Sequence, residues 1–336
     1  MLNKLLIIGL TFFLFSCKEK SISEHSFFYW RSKFNLTITE KKYLDNNQVS
    51  VLYTRFFDVD IDKKSKMPIP ISIIDSLESV PKNISIIPVI FITNRTFLII
   101  NEGQAKELAI NVFRKINSLD SMYTELQIDC DWSQGTKKKY FLFLIELKKL
   151  ISKKTKLSCT IRLHQVKYPN ITGVPPVDRG MLMYYNMGNL NDINEINSIY
   201  NFETSKKYVA YVSNYPLSLD VALPMFNWIV KFRNHKVVQL ISKKQLPDLT
   251  NNLYFQKQEK NLYKVKSSEI IKGVYYKEGD VLKLEIVNDS LLLLAAKQLN
   301  TYLNSEKRKI VLYDLDEINL KNYDDKTIQK VFNTFN

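Results

Sequence analysis

Two aspartates, Asp129 and Asp131, stand two residues apart in the run Leu126-Gln127-Ile128-Asp129-Cys130-Asp131-Trp132-Ser133. In a strand that spacing puts both carboxylates on one face, about 6.5 Å apart. Like charges so close raise the pKa of one of them unless a cation intervenes. Such a pair suits acid/base work, and equally the binding of a cation or of sugar hydroxyls. In the run from Leu157 to His164, the apolar Leu157, Cys159, Ile161 and Leu163 alternate with Ser158, Thr160, Arg162 and His164, and Gln165 follows. The run from Leu217 to Leu223 likewise opposes Ser218 and Asp220 to Leu217, Leu219, Val221 and Leu223. An unpaired buried charge is very costly. Arg162 and His164 with Asp129, Asp131 and Asp220 therefore form an internal ion-pair network or face a ligand, and both readings stay open.

Other chemistries find no residues to carry them. His25, His164 and His235 are too dispersed for H-E-x-x-H, and G-x-S-x-G, P-loop and G-x-G-x-x-G patterns are absent. No metal or cofactor is implied. The net charge of +14 raises the question of nucleic acid. The lysines are scattered, however, and read as a solvated surface, with attraction to acidic glycans or lipid head groups left open. Cys130 and Cys159 fall in apolar-alternating runs and read as small core residues rather than a disulfide.

The elements that must position these groups alternate between strand-like and helical patterns, as in an α/β domain with a parallel sheet. Strands are expected at Phe27 to Arg31, Val49 to Asp58, Ile84 to Thr93, Glu125 to Ser133, Leu157 to Val166, Gly180 to Met187, Leu217 to Phe226 and Lys309 to Asp314. Amphipathic helices fall at Glu102 to Ser118, Lys138 to Ser152, Ser205 to Ser213, Ser290 to Leu303 and Asp325 to Phe335. Eight strands with intervening helices predict a (β/α)8 TIM-type barrel. The rhythm breaks at about 228–288, an insertion before the last strand. Two hairpins are expected there, Ile229 to Phe232 with Val237 to Ile241, and Ile270 to Tyr276 with Val281 to Val287 turning at Glu278-Gly279-Asp280. Parallel strands wrapped by helices are buried on both faces, so the polar faces point into the barrel, and a site belongs at the strands' C-terminal ends. The proline-stiffened loop from Gly173 to Gly180 is a candidate for the barrel mouth, with Asp178 and Arg179 held over it or paired with each other. Tyr29, Trp30, Trp132 and Trp228 are candidates to stack on sugar rings or to be core, and Tyr29 and Arg31 are taken as substrate-binding.

The chain opens with Met1-Leu2-Asn3-Lys4 and an apolar run from Leu5 to Phe15, too short to span a bilayer. Leu14-Phe15-Ser16-Cys17 resembles the lipobox of bacterial lipoproteins. The resemblance implies a signal peptide at 1–16, cleavage before Cys17 and lipid on that cysteine. Residues 17–26 would then be a polar tether, 27–336 a single barrel domain, and the protein lipid-anchored in the cell envelope, at the outer membrane.

The inward-facing runs resemble the chitinase-like glycoside hydrolases of family 18. The D-G-x-D-x-D-x-E pattern of their fourth strand matches the run from Leu126 to Ser133 at Asp129, Asp131 and Trp132, and the M-x-Y-D or M-x-Y-N of their sixth strand matches Met183-Tyr184-Tyr185-Asn186. The resemblance implies a sugar-related barrel in which Asp131 orients an acetamido group and Tyr185 assists; Arg162, His164, Gln165 and Asn186 are taken as substrate-binding. The family's proton-donating glutamate falls on Ser133, which is no acid near neutral pH. Two functions follow. In one, a divergent glycoside hydrolase divides acid, base and stabilising roles among Asp129, Asp131 and Asp220. In the other, a non-catalytic glycan-binding or scaffold protein keeps the barrel. The paired aspartates favour the first and Ser133 the second, with a lean to the enzyme. The partners expected are a carbohydrate and the membrane, and not nucleic acid.

Overall fold

The structure, a computed structural model, describes residues 23–336. Eight strands form the barrel: β1 (Glu24–Tyr29), β2 (Val51–Ile61), β3 (Ser85–Ile92), β4 (Glu125–Asp129), β5 (Lys156–Arg162), β6 (Arg179–Met183), β7 (Leu219–Pro224) and β8 (Lys309–Tyr313). Every neighbouring pair is parallel, and β1 pairs with both β8 and β2, so the sheet closes on itself. This is the (β/α)8 barrel expected from the alternation.

The helical layer is uneven. Long helices follow β3 (Glu102–Leu119), β4 (Lys137–Leu150) and the insertion (Asp289–Asn300), with shorter ones at Ile38–Asn46, Phe202–Val209 and Asp325–Asn333. Asn101 caps the Glu102–Leu119 helix reciprocally with Gln104, a capping box, and its stripe of Ala105, Leu108, Ala109, Val112 and Ile116 is buried. After β2 no helix forms among the described residues. A short strand, Pro68–Ile71, folds back antiparallel on β2 instead.

Strand ends and pairings depart from expectation in ways that move side chains. β4 ends at Asp129, four residues early, and β5 ends at Arg162, where Leu163–Lys167 turns into a short helix. The second expected hairpin is differently paired. Glu269–Ile271 pairs with Val274–Tyr276, turning at Lys272-Gly273, and Val281–Ile286 pairs with Asn227–Arg233 and Leu262–Val265. Gly273 has a φ of 76°, the left-handed conformation such a turn demands. The first hairpin is as expected, Asn227–Arg233 with Lys236–Ser242. The insertion is thus a five-stranded antiparallel sheet with an added hairpin, and it has its own apolar cluster around Ile229, Ile241, Phe255, Val265, Tyr276 and Leu282.

The polar tether also ends earlier than expected. Ser23 is buried, with its N–H and hydroxyl donating to Asn336 Oδ1 at 2.8 and 2.6 Å, and β1 begins at Glu24 rather than Phe27. Cys17 and the signal lie outside the described residues.

Candidate functional site

Parallel strands put all their C-terminal ends at one pole, the mouth. A cavity of about 310 Å³ opens there, lined by Trp30, Asp129, Arg162, Tyr185, Phe226, Trp228, Tyr313 and Asp314 among others. Its floor is aromatic. The Tyr313 ring lies 5.9 Å from Trp30, 5.6 Å from Tyr185 and 5.7 Å from Phe226, and Phe226 lies 5.4 Å from Trp228. Edge-on and tilted rings at these separations hold one another in place and leave faces for a ligand. Trp228 is fixed further by its indole N–H, which donates to Glu285 at 2.7 Å.

The carboxylates at this pole have unequal surroundings. Asp129 is buried and accepts a hydrogen bond from the Thr160 hydroxyl at 2.7 Å. Burial pushes its pKa up to about 6, with Asp131 adding to the rise and Arg162 and Thr160 opposing it. Asp131, past the strand end, is half exposed and ion-paired with Arg162 Nε. Asp314, at the end of β8, is fully buried, takes the Lys243 ammonium from the insertion at 2.5 Å and accepts from Asn319 at 2.8 Å. Burial raises its pKa even so, with Lys243 pulling the other way. Along β2, Asp58 is paired with Arg55 and Asp60 with Arg95. Of these five mouth carboxylates, Asp129 alone has no cation bonded to it among the described residues.

Ser133, at the position of the resembled family's acid, does not line the cavity. Its N–H donates to Thr136 Oγ1 at 2.9 Å, and Thr136 in turn donates to Asn94 at 2.6 Å, so it belongs to the turn that starts the Lys137–Leu150 helix.

The structure brings Asp129, Arg162, Tyr185 and Asn186 together on the cavity wall, with Asp131 beside them. Asn186 has a φ of 55°, a left-handed conformation that asparagine tolerates better than most residues. Other expected site residues lie elsewhere. Asp220 is the second residue of β7 and so sits near the opposite, N-terminal pole, where Arg179 Nε and the Lys309 N–H each reach it at 2.7 Å. Lys309 also reaches Glu125 at 2.6 Å, and Glu125 accepts from Ser158 and Tyr53. The barrel interior therefore carries an ion-pair network at one pole, built by Asp220 with Arg179, Lys309 and Glu125 and not with the expected Arg162 and His164, and a cavity at the other. The Gly173 to Gly180 loop runs along the outside of the barrel, from Gly173 beside Lys137 and Phe141 down to the network pole, and there Asp178 pairs with Lys148 instead of Arg179.

His164 is exposed on the short helix after β5 and outside the cavity lining, its pKa lowered by partial burial and the Arg162 charge. Gln165 is buried, accepting from the Arg162 N–H at 2.7 Å and donating to the Trp132 carbonyl at 3.2 Å, which holds the two loop segments together. Tyr29 and Arg31 have the wrong strand parity. Tyr29 bonds to the Lys33 carbonyl, Arg31 lies over its ring and pairs with Glu40, and Trp30 takes the inward place. Trp132 is core, 5.2 Å from Tyr140, its N–H on the Thr172 carbonyl. Cys130 and Cys159 are free, buried thiols, as expected. Phe226, Tyr313, Asp314 and Lys243 were not singled out by spacing. The first three lie at or just past the ends of β7 and β8, where the barrel rule alone would place a site.

Among the described residues no group of three His, Cys, Asp or Glu side chains is arranged to hold a metal ion, and no helix is long and apolar enough to cross a membrane.

No family model and no curated protein matches the sequence. Solved structures do. The fold is similar to that of the family 18 chitinase ChiB from Flavobacterium johnsoniae, at 12% identity and a TM-score of 0.53 over 94% of both chains. A chitinase from Bacteroides thetaiotaomicron is similar at 12% identity and a TM-score of 0.54, over 94% of this chain and 95% of that one. The Bacillus cereus spore cortex-lytic enzyme SleL is similar at 12% identity and a TM-score of 0.54, over 93% of this chain and 74% of that one. The expected likeness in architecture holds: this chain has the barrel fold that these structures share.

Proposed function

We propose that the barrel mouth binds a glycan without cleaving it, and that the protein is held to a bacterial envelope membrane, the outer one, by lipid on Cys17. The aromatic cavity carries the binding reading. Sugar rings present apolar C–H faces that lie against aromatic side chains, and the polar Arg162, Asn186 and Asp129 stand at the edge to meet hydroxyl or amide groups. Similarity to chitinases points to an amino-sugar polymer.

The absence of cleavage rests on the acids. Hydrolysis of a glycosidic bond uses two carboxyl groups, one protonated beside the leaving oxygen. Ser133 occupies the donor's position and faces its own turn, Asp220 is at the far pole, and Asp58, Asp60, Asp131 and Asp314 are neutralised by cations.

One observation favours a second reading, hydrolysis with Asp129 as the acid. Its pKa of about 6 leaves about a tenth of it protonated at pH 7, far more than an ordinary aspartate keeps, and it borders the cavity. Incubation with amino-sugar oligomers separates the two readings. Saturable binding with no new reducing ends from pH 4 to 8 supports the first, and turnover abolished by Asp129→Asn supports the second.

Anchoring is tested independently. Labelled palmitate is expected in the full chain and absent from Cys17→Ser, and label retained in that variant contradicts attachment at Cys17.

A further inference from the structure

We infer that the barrel stands with its N-terminal pole against the bilayer, its lysines on anionic lipid head groups, and its mouth facing away; this rests on the proposed anchor at Cys17. The exit point of the chain is fixed. Ser23 is buried and bonded to Asn336, and β1 starts at Glu24 at the pole opposite the cavity. Ser23 lies six positions after Cys17, a reach of at most about 20 Å. Trp30, at the mouth, lies six residues along from Glu24, itself about 20 Å of strand, and the insertion stands beyond it. A tether that short cannot carry the lipid past the barrel and the insertion to the mouth side.

The pole has the surface for the contact. Lys82, Lys153, Lys154, Lys156 and Lys307 lie in or beside the segments that lead into β3, β5 and β8, and all are exposed. Of the acids among them, Asp178 is occupied by Lys148 and Glu306 by Arg179 and Arg308, Glu24 and Asp120 are half-buried, and Asp75 and Glu78 are exposed beside Asp120 and Met122. Met122, 89% exposed, projects from the segment before β4 at the same pole. Lysines within a Debye length of an anionic leaflet are attracted to it, and an exposed methionine adds apolar contact at the head-group boundary. The reach of the tether selects the pole, and the exposed lysines there supply the contact with the head groups.

The experiment uses the full lipidated chain in vesicles of phosphatidylethanolamine and phosphatidylglycerol, with an environment-sensitive label at Lys154→Cys or at Val238→Cys and a quencher on the lipid head groups. Val238 is exposed on the insertion strand that lines the mouth through Leu240. Strong quenching at position 154 with little at 238 is expected, and equal or reversed quenching overturns the orientation. The unlipidated chain from Ser21, which contains the whole barrel, is tested for co-sedimentation with phosphatidylglycerol vesicles. Replacing Lys153, Lys154 and Lys156 together by Glu is expected to weaken that binding by roughly tenfold or more. Binding unchanged by the replacement, or absent in the parent, overturns the head-group contact. A mass showing no acyl group on Cys17 refutes the anchor alone, and the vesicle result then decides for the pole.

Discussion

At the scale of residues, the mouth is distinguished by a buried carboxyl group, Asp129, with no cation bonded to it among the described residues. Burial raises Asp129 from its ordinary range to about 6, whereas the same group in an unfolded chain titrates near 4. A raised carboxylate pKa means that folding favours the protonated form. Stability is therefore unaffected below the unfolded pKa and falls as pH rises from about 4 through 6. The shift corresponds to a penalty of about 3 kcal/mol above that window. Asn keeps a carbonyl for Thr160 and carries no charge, so Asp129→Asn is expected to stabilise the fold at pH 7.5 by up to about that amount and to change little at pH 4. Chemical denaturation at the two pH values measures it. The paired aspartates were legible in sequence because strand period fixes their common face. The orientation of Tyr29 and Trp30 was not, since two aromatics in succession leave parity undetermined until the strand's neighbours are known. Trp30 proved inward and Tyr29 outward.

At the scale of elements, the insertion is tied to the barrel by Lys243, which spans from the end of the Lys236–Ser242 strand to the fully buried Asp314. Removing one partner of a buried pair strands the other charge. Lys243→Ala is expected to cost about 3 kcal/mol and to speed hydrogen exchange across 227–286 more than in the barrel strands. Uniform exchange changes would deny the lock. The β-α rhythm revealed every barrel strand because apolar alternation is a local property. The insertion was only half legible: Asn227–Arg233 and Lys236–Ser242 are joined by a tight turn, but Val281–Ile286 pairs across more than forty residues with Asn227–Arg233. Nothing local encodes that pairing. Strand ends were overrun at Asp131 and His164 for a related reason, since alternation continues in sequence after the ladder has ended.

At the scale of the whole molecule, the barrel separates stability from binding along its axis. The network of Asp220, Arg179, Lys309 and Glu125 closes the N-terminal pole, and the cavity opens at the other. Asp220→Ala is expected to lower stability by about 2 to 4 kcal/mol, by stranding Arg179 and the Lys309 N–H, with glycan affinity unchanged. Thermal unfolding and titration of the same sample check both halves, and a parallel loss of affinity would show the poles to be coupled. The sequence places Asp220 in an inward-facing set but does not say at which height, because height depends on where the strand begins in the closed ladder.

The central claim is a glycan-binding mouth with no turnover. It is tested most directly by calorimetric titration of the chain from Ser21 with amino-sugar oligomers, alongside Trp30→Ala, with the recovered ligand analysed for cleavage. Saturable binding, weakened at least about tenfold in Trp30→Ala through loss of an aromatic anchor, with the oligomer recovered intact, is the predicted result. Cleavage products that vanish in Asp129→Asn, or no binding to any oligomer, would contradict it.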